Sequence, residues 1–457
     1  MPSRLRGAVT YNRSTMGGSA GIRVIGGGLA GCEAAWQLAS RGVAVELVEM
    51  RPLVGTAAHA TSGLAELVCS NSLRSNALDR AQGILKEEMR RLGSLIISCA
   101  DECAVPAGSA LAVDRVRFSS RVESKLLALE TVHLVRAEAR EVCGDGVTTI
   151  VATGPMTSPA MSEAIRAVVG RGFLHFYDAV SPIVSAESVD RSVAFEAARH
   201  GKGEATYLNC PLSKEEYERF VAELTAAAVL PTREIAPGAF FEGCLPVEEI
   251  ARRHPDALRH GPLRPVGLTD PRTGRWPYAV VQLRPENAAG TLYNLVGCQT
   301  GLRWGEQERV FRMVPGLTEA EFLRYGVMHR NVFIESPALL DPFCRLVTDP
   351  RIAFAGQITG VEGYCESALS GLYVGLNSFR VAEGLDPVRL PECSVSGALL
   401  SHVTSARSGE FQPMNANFGL VPPVEGVAKR DRRAAMARRA LEAIDEFARS
   451  VGCGGAG

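Results

Sequence analysis

Apolar and polar positions near the start of the chain follow a strand, helix, strand order. Residues 21–25 (GIRVI) form a short β-branched run, and residues 43–48 (VAVELV) form a second apolar run that ends at Glu49. Between them, apolar side chains recur at helical spacing at Ala30, Ala34, Ala35, Leu38 and Ala39. Gly42 stands where a glycine commonly follows the end of a helix. The pattern predicts a βαβ unit at the start of the fold.

Two later segments repeat the pattern of a strand that leads into glycine. Residues 148–155 (TTIVATGP) are a β-branched run that reaches a turn at Gly154. Residues 351–357 (RIAFAGQ) are another, and an apolar helical segment follows at 368–376. We expect both to add strands to the sheet of the βαβ unit, with the second leading into a helix that has glycines at its N-terminus. Ordinary α/β connections would give the same pattern without that role.

The middle of the chain has a different pattern. Ser213 and Glu216 form a capping box ahead of a helix with Tyr217 and Phe220 on one face. Residues 278–284 and 291–296 flank a turn and predict a β-hairpin. These elements indicate an α+β insertion, so we predict an α/β fold in which a Rossmann-like domain is discontinuous. The predicted limits are a disordered arm at 1–20, the nucleotide-binding domain at 21–178 and 330–440, and the insertion at 179–329.

Composition excludes several classes of protein. Of the 457 residues, 46% are hydrophobic and 22% are charged, with a formal net charge of −1, which is typical of a globular chain and not of a disordered one. No run of about 18 apolar residues is present, so we expect no membrane-spanning helix and no membrane partner. Residues 1–20 lack the apolar centre of a signal peptide, and we expect a cytoplasmic protein. The near-zero charge neither favours nor excludes an RNA partner.

The glycines between the first strand and helix carry the first chemical signal. GGGLAG at 26–31 fits the GxGxxG pattern, in which one glycine permits a tight turn, one lets the backbone approach a pyrophosphate, and one lets helix pack on strand. Glu49 lies at the end of the second strand, where an acid accepts hydrogen bonds from a ribose diol. An acid there disfavours the 2′-phosphate of NADP, which leaves FAD or NAD, and the two later segments favour FAD. The expected cofactor-binding residues here are Gly26, Gly27, Gly28, Leu29, Ala30, Gly31 and Glu49.

Cysteine usage indicates reduced thiols. The twelve cysteines include no CxxC pair and no histidine at zinc-ligand spacing, so we expect neither a disulfide framework nor a metal site. Cys69 and Cys244 each lie beside polar, turn-forming residues, a setting that can expose and activate a thiol. The alternative for any one of the twelve is an inert buried thiol. The basic C-terminal segment at 429–449 is either a packed helix with one solvated face or a phosphate contact.

Seven strings together resemble one enzyme family. They are GGGLAG at 26–31, VEMRP at 48–52, AELVCSNS at 65–72, ATGP at 152–155, FEGCLP at 241–246, GQITGVEGY at 356–364 and MNANFG at 414–419. The chain closely resembles the folate- and FAD-dependent tRNA uracil-5-methyltransferases, the TrmFO family, over residues 22–425. The two cysteine strings are specific to that family. The arm before Gly21, an arginine-rich composition and Cys365 in place of a small aliphatic residue depart from its pattern.

The resemblance implies a function. It implies formation of 5-methyluridine at position 54 in the T loop of tRNA, with FAD as cofactor, 5,10-methylenetetrahydrofolate as carbon donor and NAD(P)H as reductant. No obligate protein partner is implied. Cys69 and Cys244 would be the catalytic pair, with Cys244 assigned as the nucleophile that adds to carbon 6 of uracil and Cys69 as the acid or base, although the pair is better defined than the division of roles. Gly154, Gly356, Gly360 and Tyr364 would complete the cofactor site, with Tyr364 over the flavin. Alternatively, Tyr364 is a core tyrosine.

Three residues of the insertion and its edge are candidates for substrate binding. His329 and Arg330 form a polar cluster that suits folate or RNA phosphate, and Arg303 precedes Trp304, which suits stacking on a base. A purely structural role is the alternative for each. Other functions also remain open: the same chemistry on ribosomal RNA, modification of a wobble uridine, or a flavin oxidoreductase that acts on a small metabolite.

Overall fold

The structure is a computed structural model that describes residues 21–56, 58–142, 146–201, 205–229, 245–287, 289–405, 411–428 and 430–452. At residues 171, 173, 175–178, 329 and 330 it describes the backbone alone. The expected arm at 1–20 lies outside the described residues. Among the helices of the described ranges, none has the length and apolar character needed to cross a membrane.

The described residues form seventeen strands and thirteen α-helices. The strands are β1 (Ile22–Ile25), β2 (Val45–Glu49), β3 (Ser72–Ser75), β4 (Ala104–Val105), β5 (Ala110–Val113), β6 (Val132–Arg136), β7 (Thr149–Val151), β8 (Phe173–Ala179), β9 (Ile183–Ser185), β10 (Phe195–Glu196), β11 (Leu208–Leu212), β12 (Ala279–Pro285), β13 (Leu292–Val296), β14 (Phe322–Arg324), β15 (Met328–Ile334), β16 (Arg345–Leu346) and β17 (Asp349–Phe354). The helices are α1 (Leu29–Ala39), α2 (Ala81–Arg91), α3 (Leu95–Glu102), α4 (Arg115–Leu127), α5 (Pro159–Val169), α6 (Lys214–Ala226), α7 (Val247–Arg253), α8 (Ala257–His260), α9 (Trp304–Phe311), α10 (Ser336–Leu339), α11 (Tyr364–Ala382), α12 (Val395–Ser405) and α13 (Arg432–Ser450).

The first sheet is the predicted parallel one. Its strand order is β16-β17-β7-β1-β2-β6, and β1 pairs in parallel with both β2 and β7. The outer neighbours β6 and β17 are also parallel, and only the short edge strand β16 is antiparallel. Strand β2 is buried along its whole length, as expected for a strand covered on both faces. The predicted α/β, Rossmann-like fold is confirmed.

Helices α1 and α11 pack closely because small residues line their contact. A Cβ atom at Gly371 would overlap the backbone of Ala30, and one at Gly375 would lie 2.8 Å from the carbonyl oxygen of Ala34. The helix predicted at 368–376 lies within α11, which is longer than predicted because it begins at Tyr364.

The second large sheet is antiparallel and has its own core. Its order is β10-β11-β12-β13-β9-β14, and the predicted hairpin is the pair β12 and β13. The predicted capping box is present: the Ser213 hydroxyl accepts from the Glu216 N–H at 3.2 Å, and the Glu216 carboxylate accepts from the Ser213 N–H at 2.8 Å. Buried side chains of α6, α7 and α9 cover this sheet.

A two-stranded ribbon, β8 with β15, lies between the two large sheets along the chain. Ala179 and Met328 are Cα partners at one end of it, and these residues adjoin the expected limits of the insertion at 179 and 329. A small sheet, β3-β5-β4, follows the loop of Cys69. Helix α13 packs through a buried face of Met436, Ala440, Ile444 and Phe447, as the packed alternative requires.

Candidate active site

In the glycine turn after β1, two glycines lie where a Cβ atom would clash with the backbone, and a third faces open space. Gly26 has φ +107°, and a Cβ there would overlap the carbonyl of Ala152. A Cβ at Gly31 would overlap the carbonyl oxygen of Gly26, so helix α1 can sit this close only with glycine. At Gly28 a Cβ would meet no protein atom within 4 Å. Gly28 therefore faces open space at the N-terminus of α1.

That space is a cavity at the carboxyl ends of the parallel strands, where open α/β sheets bind their ligands. Its lining comes from the residues that follow β1, β2, β7 and β17 and from the start of α11. Among the expected cofactor residues, those that line it are Gly26, Gly28, Leu29, Ala30, Glu49, Gly154, Gly356 and Tyr364.

Three expected cofactor residues are not part of the lining. The Gly27 N–H donates to Glu49 at 2.8 Å, and Gly31 forms the helix-to-strand contact. Gly360 has φ +85° and faces the ring of Phe411, where a Cβ would clash. These glycines shape the backbone around the cavity.

Glu49 is held by its neighbours. It accepts hydrogen bonds from the N–H of Gly27 at 2.8 Å, from the N–H of Arg51 at 2.9 Å and from Arg51 Nε at 2.8 Å. Burial opposes its ionisation, but the hydrogen bonds and charge of Arg51 outweigh that cost and lower the pKa of Glu49. Since two carboxylate oxygens offer about four lone-pair sites, acceptor capacity remains for a ligand hydroxyl.

Among the lining residues that sequence analysis missed are Arg51, His59 and Glu66. Arg51 bridges Glu49 and Glu66, and lies 3.0 Å from the latter. Burial, followed by the charge of Arg51, lowers the pKa of His59 to about 4. Arg51 and Glu66 stand inside two of the quoted strings, but no spacing rule marks either one as a cavity residue.

Cys69 lies next to the cavity, and hydrogen bonds to its backbone hold it there. The Tyr364 hydroxyl accepts from the N–H of Cys69 at 2.7 Å and from the N–H of Ser70 at 3.1 Å. Tyr364 and Val68 both line the cavity. Burial, and then the nearby Cys69, raises the pKa of Tyr364, so the phenol stays protonated. Tyr364 therefore lines the cavity, and its hydroxyl orients the Cys69 loop.

Three arginines tie the Cys69 loop to its surroundings. Arg115, at the start of α4, donates to the carbonyl oxygens of Leu67 at 2.6 Å and Cys69 at 3.3 Å. Arg284 of β12 donates to the side chains of Ser70 at 2.7 Å and Asn71 at 2.8 Å.

The third is Arg324 of β14, which donates to the carbonyl oxygens of Ala58 at 2.9 Å and Val68 at 2.8 Å. Arg115 also pairs with Glu286, which follows β12. The loop is therefore clamped between α4 and the antiparallel sheet.

Most other cysteines of the described residues are more buried than Cys69. Only Cys69 and Cys393 are half-buried among those the structure describes. Burial raises the pKa of Cys99, Cys210, Cys298, Cys344 and Cys365 to about 12, which makes these thiols unreactive.

The remaining expected site residues are Cys244, His329, Arg330 and Arg303. Cys244 lies outside the described residues. His329 and Arg330 are in β15 with only their backbone described. Arg303 is exposed at the N-cap of α9, and Trp304 beside it is 58% exposed, so this tryptophan is not a core residue.

Comparison with known proteins defines the family. A model described as glucose inhibited division protein A matches residues 21–386. The chain is 57% identical to the "Methylenetetrahydrofolate--tRNA-(uracil-5-)-methyltransferase TrmFO" of Geobacter sulfurreducens over 432 residues, covering 94% of this chain and 99% of the relative. A protein of the same name from Heliobacterium modesticaldum is 56% identical, covering 93% and 97%. The chain belongs to the TrmFO family.

A solved structure of a more distant protein shares the fold of this chain. The structure of Aquifex aeolicus GidA matches with a TM-score of 0.72 at 16% identity, and the match covers 95% of this chain and 74% of that one. At this identity the likeness concerns the fold alone. The TrmFO resemblance expected from the cysteine strings is confirmed.

Proposed function

We propose that this chain methylates carbon 5 of uridine 54 in the T loop of tRNA. The carbon comes from 5,10-methylenetetrahydrofolate, the reductant is NAD(P)H, and FAD is the bound cofactor. The observation that carries the proposal is the near full-length identity of about 57% to relatives named for this activity. The cavity beside Cys69 supports it.

The cavity fits FAD. Gly28 leaves space for a pyrophosphate at the N-terminus of α1, where free N–H groups and the helix dipole favour an anion. Glu49, which accepts from the Gly27 N–H of the glycine turn and lines the cavity, offers an acceptor for a ribose hydroxyl. Tyr364, at the start of α11, would lie along the ring system. When bound, FAD would supply the transfer of the one-carbon unit and of the hydride that reduces it to a methyl group.

The chain itself must activate uracil, because carbon 5 is a weak nucleophile. A cysteine thiolate that adds to carbon 6 forms a C–S bond and places an electron pair on carbon 5, which then attacks the electrophilic one-carbon unit. A base removes the proton from carbon 5, and the electron pair of that C–H bond expels the carrier of the one-carbon unit and leaves an exocyclic methylene on carbon 5. Addition of a hydride to this methylene restores the ring double bond and expels the thiolate. We assign the addition to Cys244 and the proton transfer to Cys69.

The contacts of Cys69 suit this chemistry. Tyr364 and Arg115 fix the loop through the backbone N–H and carbonyl oxygen of Cys69, and the thiol itself lies 4.0 Å from the carbonyl oxygen of Ala179. Arg115 also brings a positive charge, 15% exposed, next to the cysteine. A nearby cation favours the thiolate, which is the form in which a cysteine can accept a proton.

Substrate contacts are proposed for three residues at the insertion. Arg303, His329 and Arg330 carry side chains that suit RNA phosphate or the folate carboxylates. The second GxGxxG string of the chain, GCGGAG at 452–457, follows a helix and not a strand, so it lacks the sequence context of a second dinucleotide site. The reductant would dock transiently over the cofactor.

The test is reconstitution with purified, FAD-loaded protein. An unmodified tRNA transcript, 5,10-methylenetetrahydrofolate and NADPH should yield 5-methyluridine, detected by mass spectrometry of nucleosides. A transcript with uridine 54 replaced by cytidine and a ribosomal RNA transcript should yield none. Product from ribosomal RNA alone, or none from any RNA, would overturn the proposal.

The cysteine roles are tested separately. Cys244→Ala should abolish a covalent protein–RNA adduct, whereas Cys69→Ala should allow the adduct to form and accumulate because the proton is not removed. Cys393→Ala, at another half-buried cysteine, is the matched control and should behave like the wild type. An adduct that persists in Cys244→Ala would assign the attack to another residue.

A further inference from the structure

Three aromatic rings are stacked on the surface of the antiparallel sheet. The ring of Trp304 lies 5.4 Å from that of Tyr325 with 13° between their planes, and the ring of Tyr325 lies 6.0 Å from that of Phe322 with 3° between them. We call Trp304, Tyr325 and Phe322 the aromatic ladder. Trp304 forms its outer end and is 58% exposed, so one side of the indole remains open to solvent.

The inner end of the aromatic ladder is anchored in the core. Phe322 lies 6.5 Å from Phe311, which is fully buried beneath the antiparallel sheet, and Phe311 lies 6.2 Å from buried Phe220. The exposed indole is therefore the end of a continuous series of rings with little freedom to move. A fixed aromatic surface loses little conformational entropy when a planar ligand stacks on it.

The aromatic ladder is continuous with the candidate active site. Arg324 stands between Phe322 and Tyr325 in the chain and donates to the carbonyl oxygen of Val68, the residue before Cys69. The same guanidinium donates to the carbonyl oxygen of Ala58. Two members of the ladder, Phe322 and Tyr325, thus flank in the chain the arginine that contacts the cysteine loop.

Charge around the aromatic ladder is close to balanced. Arg309 pairs with Glu223 and Glu306, and Arg312 pairs with Glu308. The Tyr325 hydroxyl also bonds to Glu308. Exposed Arg303, before Trp304, is the arginine proposed above for phosphate, whereas these other charges are paired, and the open face of the indole is the feature that a planar ligand can use.

We propose that the aromatic ladder is a stacking platform for an unpaired nucleobase of the tRNA substrate. This inference rests on the proposed function, because it assigns part of the tRNA contact of the same site. Proteins that recognise RNA loops commonly stack splayed bases on aromatic side chains. A base on Trp304 would extend the ladder by one ring and hold the loop while uridine 54 enters the cavity.

The test compares three variants at Trp304 with a matched control. Trp304→Ala and Trp304→Leu should weaken tRNA binding by about 5- to 150-fold, the range for loss of one stacked base, whereas Trp304→Phe should stay within a few-fold of the wild type. Trp276→Ala is the control, since Trp276 is 53% exposed in the same part of the chain. Affinity is measured by fluorescence anisotropy with a labelled, unmodified tRNA transcript.

Salt dependence separates stacking from charge. Because stacking releases no counterions, the slope of log affinity against log salt concentration should be the same for Trp304→Ala and for the wild type. FAD content and the rate of tRNA-free NADPH oxidation should not change, which shows that the cavity is intact. A loss of affinity accompanied by a smaller salt slope would overturn the stacking proposal.

Two other outcomes would also overturn it. If Trp304→Ala binds and methylates tRNA as the wild type does, the aromatic ladder has no part in recognition even though the proposed function stands. If Trp304→Ala changes only the mass measured by sedimentation, the ladder contacts a second copy of the chain. Failure of the wild type to methylate any tRNA would instead contradict the proposed function.

Discussion

At the scale of single residues, the positioning of Cys69 depends on backbone contacts made by distant side chains. Arg115 illustrates this because its guanidinium donates hydrogen bonds to Leu67, Cys69 and Glu286 at once. Only a planar fork of donors can meet three acceptors in this arrangement. Nothing in the sequence around residue 115 marks such a role, since an arginine after an N-cap aspartate is typical of any helix start.

We expect Arg115→Lys to slow methylation by roughly 10- to 100-fold, because each lost hydrogen bond involving a charged group is worth about 1.5–3 kcal/mol. The control is Arg121→Lys on the same helix, where the arginine is half-exposed and pairs with Glu102. Initial rates of 5-methyluridine formation are compared at equal FAD content. Equal rates in the two variants would show that the contacts of Arg115 do not matter for catalysis.

His59 gives a pH-dependent prediction. Its pKa is about 4 in the folded protein and about 6.5 in an unfolded chain, so between these values the unfolded chain takes up a proton that the folded one does not. The folded state therefore loses stability as pH falls from about 6.5 to 4, by about 2 kcal/mol at pH 5.

The His59→Gln variant should not show this loss of folding stability at low pH. The measurement is urea unfolding of the cofactor-free protein at pH 7.5 and pH 5, with His133→Gln as the control for removal of an exposed histidine. If the wild type and His59→Gln lose stability equally between the two pH values, His59 is not held in its neutral form.

At the scale of elements, two glycines of the turn after β1 are needed for different reasons. Gly31 is needed for the packing of α1, and Gly28 leaves space for a ligand. Gly28 has φ −78° and open space around its missing Cβ, whereas Gly31 abuts the carbonyl of Gly26. We expect Gly28→Ala to fold with unchanged stability but to bind FAD more weakly, because the methyl group projects into the cavity. Gly31→Ala should lose about 1–3 kcal/mol of stability through forced movement of α1.

Both variants are examined by urea unfolding without cofactor and by titration of FAD fluorescence. The comparison between them is internal, since each serves as the control for the other. Full FAD affinity in Gly28→Ala would place the pyrophosphate away from this turn.

Elements with strong local signals were predictable from the sequence. The βαβ start, the capping box of α6 and the β12–β13 hairpin each depend on residues that are close together in the chain. The ribbon of β8 with β15 was not predicted, because its partners are separated by about 150 residues and neither strand alternates clearly. Pairing of that kind is set by the tertiary fold.

At the scale of the whole molecule, the candidate site forms where the parallel sheet, α4 and the antiparallel sheet meet. The cavity wall was largely predictable, since most of it follows strand ends that carry glycine motifs. The clamp on Cys69 was not, because Arg284 and Arg324 stand in strands whose charges suggest a solvated face. Only the folded chain brings these arginines to a loop more than 200 residues away.

The origin of the methyl group is the most direct test of the central claim. The FAD-loaded protein is incubated with an unmodified tRNA transcript, NADPH and 5,10-methylenetetrahydrofolate that carries two deuterium atoms on the methylene. The account predicts 5-methyluridine whose methyl group holds both deuterium atoms and one hydrogen delivered by the reductant, read from the nucleoside mass. A methyl group without deuterium, or one formed only when S-adenosylmethionine is supplied, would contradict it.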